Sequence, residues 1–64
     1  MTNAQRAHET RELQYHLDRY RSARRMASLH SLRNQEVPPG VRDEVGFHAQ
    51  GVAECLDRLG GRTT

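Results

Sequence analysis

Two carboxylate and imidazole pairs carry the most chemistry in this chain, Glu12-x-x-x-His16 and Glu44-x-x-x-His48. On a helix each pair stands one turn apart, and His8 extends the first set by a further turn. Imidazole and carboxylate are common metal ligands, but a metal site needs several of them to converge on one point. Two such residues on one helix are ordinary in a chain with four His. The helical register argued below also sets the two pairs at opposite ends of the molecule. They therefore read as surface pairs worth about 0.3 kcal/mol each. No Cys-x-x-Cys, His-Glu-x-x-His or Glu-x-x-His spacing is present, so neither a metal nor any other cofactor is expected.

Cys55 is the single cysteine, which excludes an intramolecular disulfide. The expected register brings it within about a turn of His16, and a Cys and His pair can make a thiolate nucleophile. A lone cysteine at the edge of an apolar stripe is more often a small packed side chain. Two helices also lack the walls that enclose a substrate. No catalytic residue is assigned, and the chain is expected not to be an enzyme. Gly60-Gly61 reads as a helix stop rather than a phosphate loop.

The densest basic stretch is Arg19-Tyr-Arg-Ser-Ala-Arg-Arg25. Arg19, Arg21, Arg25 and Arg33 are the candidate contacts if the partner is a nucleic acid, through phosphates along helix one. Against that alternative, the arginines spread around the helix, Asp18 interrupts the row, and the net charge is only +2. The chain has ten Arg and no Lys, a bias that GC-rich codons account for.

These residues must be positioned by very little structure. A chain of 64 residues buries only about 60% of its unfolded surface. Without disulfides or a metal, so small a domain leans on regular helix packing or on self-association. No stretch approaches the roughly 20 apolar residues of a membrane span, and residues 1–9 hold no apolar run of signal-peptide type. A cytoplasmic protein with no membrane partner is expected.

The breaker segment Asn34-Gln-Glu-Val-Pro-Pro-Gly40 divides the chain. Before it, Thr2 and Gln5 form a capping-box pattern and no Pro or Gly intervenes up to Arg33. After it, Pro39 suits a first helical turn and Asp43 and Glu44 favour the positive end of a helix dipole. The expected fold is a single all-α domain over residues 1–64, an antiparallel two-helix hairpin that dimerises into a four-helix bundle. Helix one covers about 3–33, the turn 34–40, helix two about 39–59 and a tail 60–64.

In helix two, Val41, Val45, Ala49, Val52, Leu56 and Leu59 follow the alternating four and three spacing of a coiled-coil seam. Leu13, Leu17 and Tyr20, continued by Ala23, Ala27 and Leu32, supply the other side. Folding back about Pro38-Pro39 then pairs Leu32 with Val41, Tyr20 with Val52, Leu17 with Leu56 and Leu13 with Leu59. Residues Asn3 to Glu12 overhang. Residues 1–35 are net +4 and residues 36–64 net −2, which favours their pairing. Tyr15, Met26, Leu29 and Phe47 fall off this seam and are the expected partner-binding residues. The function they imply is a small non-enzymatic interaction module that self-associates and binds another protein as a regulator, adaptor or inhibitor.

Overall fold

The structure, a computed structural model, describes residues 1–61; the last three residues of the expected tail, 62–64, lie outside the described residues. Two helices, α1 (Asn3–Leu32) and α2 (Pro39–Leu56), fold back on each other, and α2 runs into one wider π turn (Asp57–Gly61). The chain is all-helical, an antiparallel hairpin with no strand among the described residues.

The ends of α1 follow from local side-chain chemistry. Thr2 Oγ1 accepts the Gln5 amide at 3.1 Å and Gln5 Oε1 accepts the Thr2 amide at 2.8 Å, the reciprocal pair that satisfies two orphan donors. At the other end Asn34 takes a left-handed conformation, φ 56°. The amides of Gln35 and Asn34 then bond back to the carbonyls of His30 and Ser31, at 2.8 and 3.0 Å. This double closure is a Schellman stop, reached with Asn where Gly is commoner. Pro39 opens α2, and the Pro38 carbonyl accepts the amides of Val41 and Arg42. Gly60, inside the π turn at φ 88°, breaks its helical path with a backbone that a Cβ would strain.

The seam differs from the expected one. Its α2 side is Val41, Val45, His48, Val52, Cys55 and Leu59, all buried or half-buried, while Ala49 and Leu56 are exposed. Its α1 side is Glu9, Leu13, His16, Tyr20, Ala23, Ala27 and His30, again buried or half-buried throughout. Leu17 lies half-buried on the flank, and Leu32 is 80% exposed. Both stripes keep the alternating four and three spacing, but polar His and Glu occupy places that a hydrophobicity count assigns to Ala and Leu. The fully packed positions are few: Ala23, His48 and Cys55.

The register has moved as well. His16 meets His48, so partner numbers add to 64, and Glu9 meets Arg58, where they add to 67. The expected pairs add to 72 or 73. The slip is about seven residues, one heptad, or roughly 10 Å along the axis. Sliding by a heptad returns each seam position to an equivalent one, so spacing alone does not select between the two registers. The Schellman stop and the two prolines prevent a tight turn, so residues 33–38 cover the distance instead. Consequently the final turn of α1 projects beyond α2, which exposes Leu32. At the open end, Glu9 and Glu12 are partly covered rather than overhanging.

Candidate functional site

The slip brings together what the expected register kept apart. The histidines of the two Glu-x-x-x-His pairs meet at the waist of the hairpin, with His16 Nδ1 and His48 Nδ1 2.9 Å apart. His48 is buried, 4% exposed, and its Nε2 lies 3.1 Å from Glu44 Oε2. A carboxylate only accepts, so His48 Nε2 carries a hydrogen. Neutral His48 then offers its Nδ1 lone pair, and His16 Nδ1 donates to it. The order is carboxylate, imidazole, imidazole, with each ring's tautomer fixed by the group before it.

Gly51 makes this geometry possible. A Cβ built there would stand 2.7 Å from three atoms of the His16 ring, so the imidazole lies over bare backbone. Tyr15 and Phe47 close the ring cluster. The Tyr15 ring meets both imidazoles edge-on, with centroids 5.1 Å from His16 and 5.7 Å from His48. Phe47 does the same at 5.8 and 4.9 Å. Arg19 lies over the Tyr15 ring, 5.6 Å from its centroid.

The imidazole centroids are 5.1 Å apart. Two rings joined head-on by an N–H···N bond of this length place their centroids about 5.2 Å apart, since a ring nitrogen lies about 1.15 Å from its centroid. The pair is therefore close to linear, a shape that holds a proton between the nitrogens. Among the described residues no group of three His, Cys, Asp or Glu side chains converges to hold a metal ion.

The four expected partner-binding residues lie on one face. Tyr15, Ser22, Met26 and Leu29 follow each other at steps of seven, four and three along α1. The matching stripe of α2 is Gly40, Glu44 and Phe47. Between them runs an open groove of about 460 Å³ bordered by Met26, Ala23, Pro38 and Val41. A shallower hollow of about 300 Å³ lies between Tyr15, Asp43 and Phe47. All four residues are exposed, Phe47 the most at 65%. Of the candidate nucleic-acid contacts, Arg19 belongs to this face, whereas Arg21 and Arg25 project from the far side of α1 and Arg33 caps its end. The arginines form no single row.

Cys55 is remote from the cluster's exposed face and has no exposed surface. Its Sγ accepts from Arg58 Nη2 at 3.6 Å, and Arg58 Nε donates to Glu9 Oε1 at 2.8 Å. Burial pushes the thiol pKa up, the Arg58 charge and hydrogen bond pull the other way, and the carboxylates of Glu9 and Glu12 add to the rise. The Glu9 hydrogen bond in turn raises the pKa of Arg58. The site sequence reasoning missed is the histidine pair, and its signal was available: His48 and Cys55 complete a stripe from Val41 to Leu59 with unbroken four and three spacing.

No protein-family model matches this chain, and neither a curated protein nor a solved structure matches it.

Proposed function

We propose that this chain is a non-enzymatic helical interaction module whose first partner is a second copy of itself, paired through the face that carries Tyr15, Met26, Leu29 and Phe47. In that paired form, a four-helix bundle, it acts on another protein as a regulator or adaptor. The observation that carries the reading is surface in excess of what a folded monomer of this size keeps. The accessible area is 5083 Å² for 7.3 kDa, where the scaling for folded monomers gives about 4,200 Å². The excess of about 900 Å² is close to the roughly 800 Å² per partner of a standard interface. The radius of gyration, 14.5 Å, likewise exceeds the roughly 11 Å of a compact chain of this length.

Charge supports the same occupant. A two-fold arrangement that lays α1 of one copy over α2 of the other sets the basic half of each chain against the acidic half of its partner. Both hollows on this face are open grooves rather than enclosed sites, which suits a docking surface better than a reaction.

Sedimentation equilibrium at micromolar concentration tests the reading. A dimer is expected, and the double change Met26→Ser and Phe47→Ser should give a monomer that keeps its helical circular dichroism. A well-folded wild-type monomer at these concentrations would overturn it.

A further inference from the structure

The histidine pair lies directly beneath the face proposed to meet the second copy. Two of that face's four apolar residues, Tyr15 and Phe47, rest edge-on against both imidazoles. Whatever disturbs the imidazole bond therefore disturbs the surface above it. We propose that the bond between His16 and His48 is a proton gate on self-association: it holds the docking face in shape while the pair carries one bridging hydrogen, and acid opens it. The inference rests on the self-association reading.

The gate follows from the hydrogen-bond inventory of imidazole. An N–H···N bond needs one nitrogen without a hydrogen, so the pair is intact when both rings are neutral or when only one is protonated. With both protonated, two N–H groups and two positive charges oppose each other at 2.9 Å. His48 is buried and His16 half-buried, so water screens that contact only in part. The rings must then part, and Tyr15 and Phe47 lose the edges they rest on.

The charges around the pair set the order of events. From α2, Glu44 holds His48 Nε2, and Asp43 stands beside Glu44 in the hollow under Phe47. From α1, Glu12 stands one turn from His16 and Arg19 lies across Tyr15. From the terminal π turn, Arg58 is occupied by Glu9, with Cys55 beneath it. The carboxylates compensate a first proton on the pair. A second proton has no acceptor left between the rings, so opening belongs to that second step.

Sedimentation equilibrium of the full chain at pH 7.5 and pH 5, at constant ionic strength, reads the gate. The dimer dissociation constant of the wild type should rise about tenfold or more on acidification, since each of the two copies takes up a proton as the dimer parts and a single linked proton contributes up to about tenfold per pH unit. A control carrying His8→Gln and His30→Gln should rise as the wild type does. His16→Gln, whose amide can still donate to His48 but takes up no proton, should change little. An equal rise in His16→Gln would overturn the gate by assigning the effect to general positive charge. A dimer insensitive to pH would overturn the gate alone and leave the self-association reading standing, whereas a monomer at both pH values would overturn both. Should His16→Gln lose its helix, Glu44→Gln provides the second test. Removing the compensating carboxylate should move the dissociation midpoint to lower pH, and an unmoved midpoint counts against the gate.

Discussion

A thiol with no exposed surface is protected by packing, while the arginine lying over it favours its ionised form. Burial is the leading cause of its raised pKa, and the neighbouring guanidinium only partly offsets it. Because the folded thiol ionises at higher pH than an unfolded one, ordinarily near 8.5, its contribution to stability is complete below that value. The contribution fades as pH climbs through the folded value. Thermal unfolding of the wild type should therefore lose ground between pH 8 and pH 10 relative to Cys55→Ala, and parallel curves for the two proteins would assign the loss to other groups. The same position shows why residue type misleads at this scale. His16, His48 and Glu9 are read as solvated because their kinds usually are. They are tolerated in this seam because each has found a partner: the imidazoles each other, Glu44 the outer nitrogen, and Arg58 the carboxylate.

At the scale of the helices, the two glycines within α2 have opposite meanings. A Cβ at Gly46 meets nothing within 4 Å, so Gly46→Ala should stabilise the hairpin by about 1 kcal/mol through helix propensity alone. At Gly51 the same Cβ runs into the His16 ring. Gly51→Ala should be net destabilising, by about 1 to 3 kcal/mol, because the imidazole must leave its place against His48. Chemical denaturation of the two variants side by side checks both signs, and stabilisation by both would mean that the ring moves aside at no cost. Much of the architecture was legible in the sequence: two helices, the Thr2 cap, the Asn34 stop, the Pro39 start, and an antiparallel seam that includes Leu13, Tyr20, Val45, Val52 and Leu59. The register was not, since a heptad pattern coincides with itself after seven residues and only side-chain pairing selects the alignment. The expected placement of Ala49 and Leu56 in the seam failed for a related reason. Counting apolar residues passes over a stripe whose polar members satisfy one another. The exposed positions of Tyr15, Met26, Leu29 and Phe47 were legible because they depend on helical phase, which survives a whole-heptad slip.

Taken whole, the hairpin measures 47 × 24 × 15 Å, one helix diameter thick and more than three times as long. Such a rod has little interior, three buried residues among those described, so its fixed points are local: the turn at one end, the imidazole bond at the waist, and Glu9 with Arg58 at the other end. That last pair joins residues 49 positions apart, with Arg58 Nε 2.8 Å from Glu9 Oε1 and the arginine half exposed. An exposed tie of this kind is weakened by ions, since the screening length falls from about 10 Å at 0.1 M salt to 3 Å at 1 M. Arg58 is also the lid over the Cys55 sulfur, so loosening the tie uncovers the thiol. Ionic strength thus becomes the variable that decides whether Cys55 can react. Alkylation by the neutral reagent iodoacetamide should quicken as sodium chloride is raised from 0.1 to 1 M, and Glu9→Gln should show the quicker rate already at low salt. A rate indifferent to both changes would mean that apolar packing alone closes that end. The molecule would then answer two different solution conditions at two separate places, acid at its middle and salt at its tip.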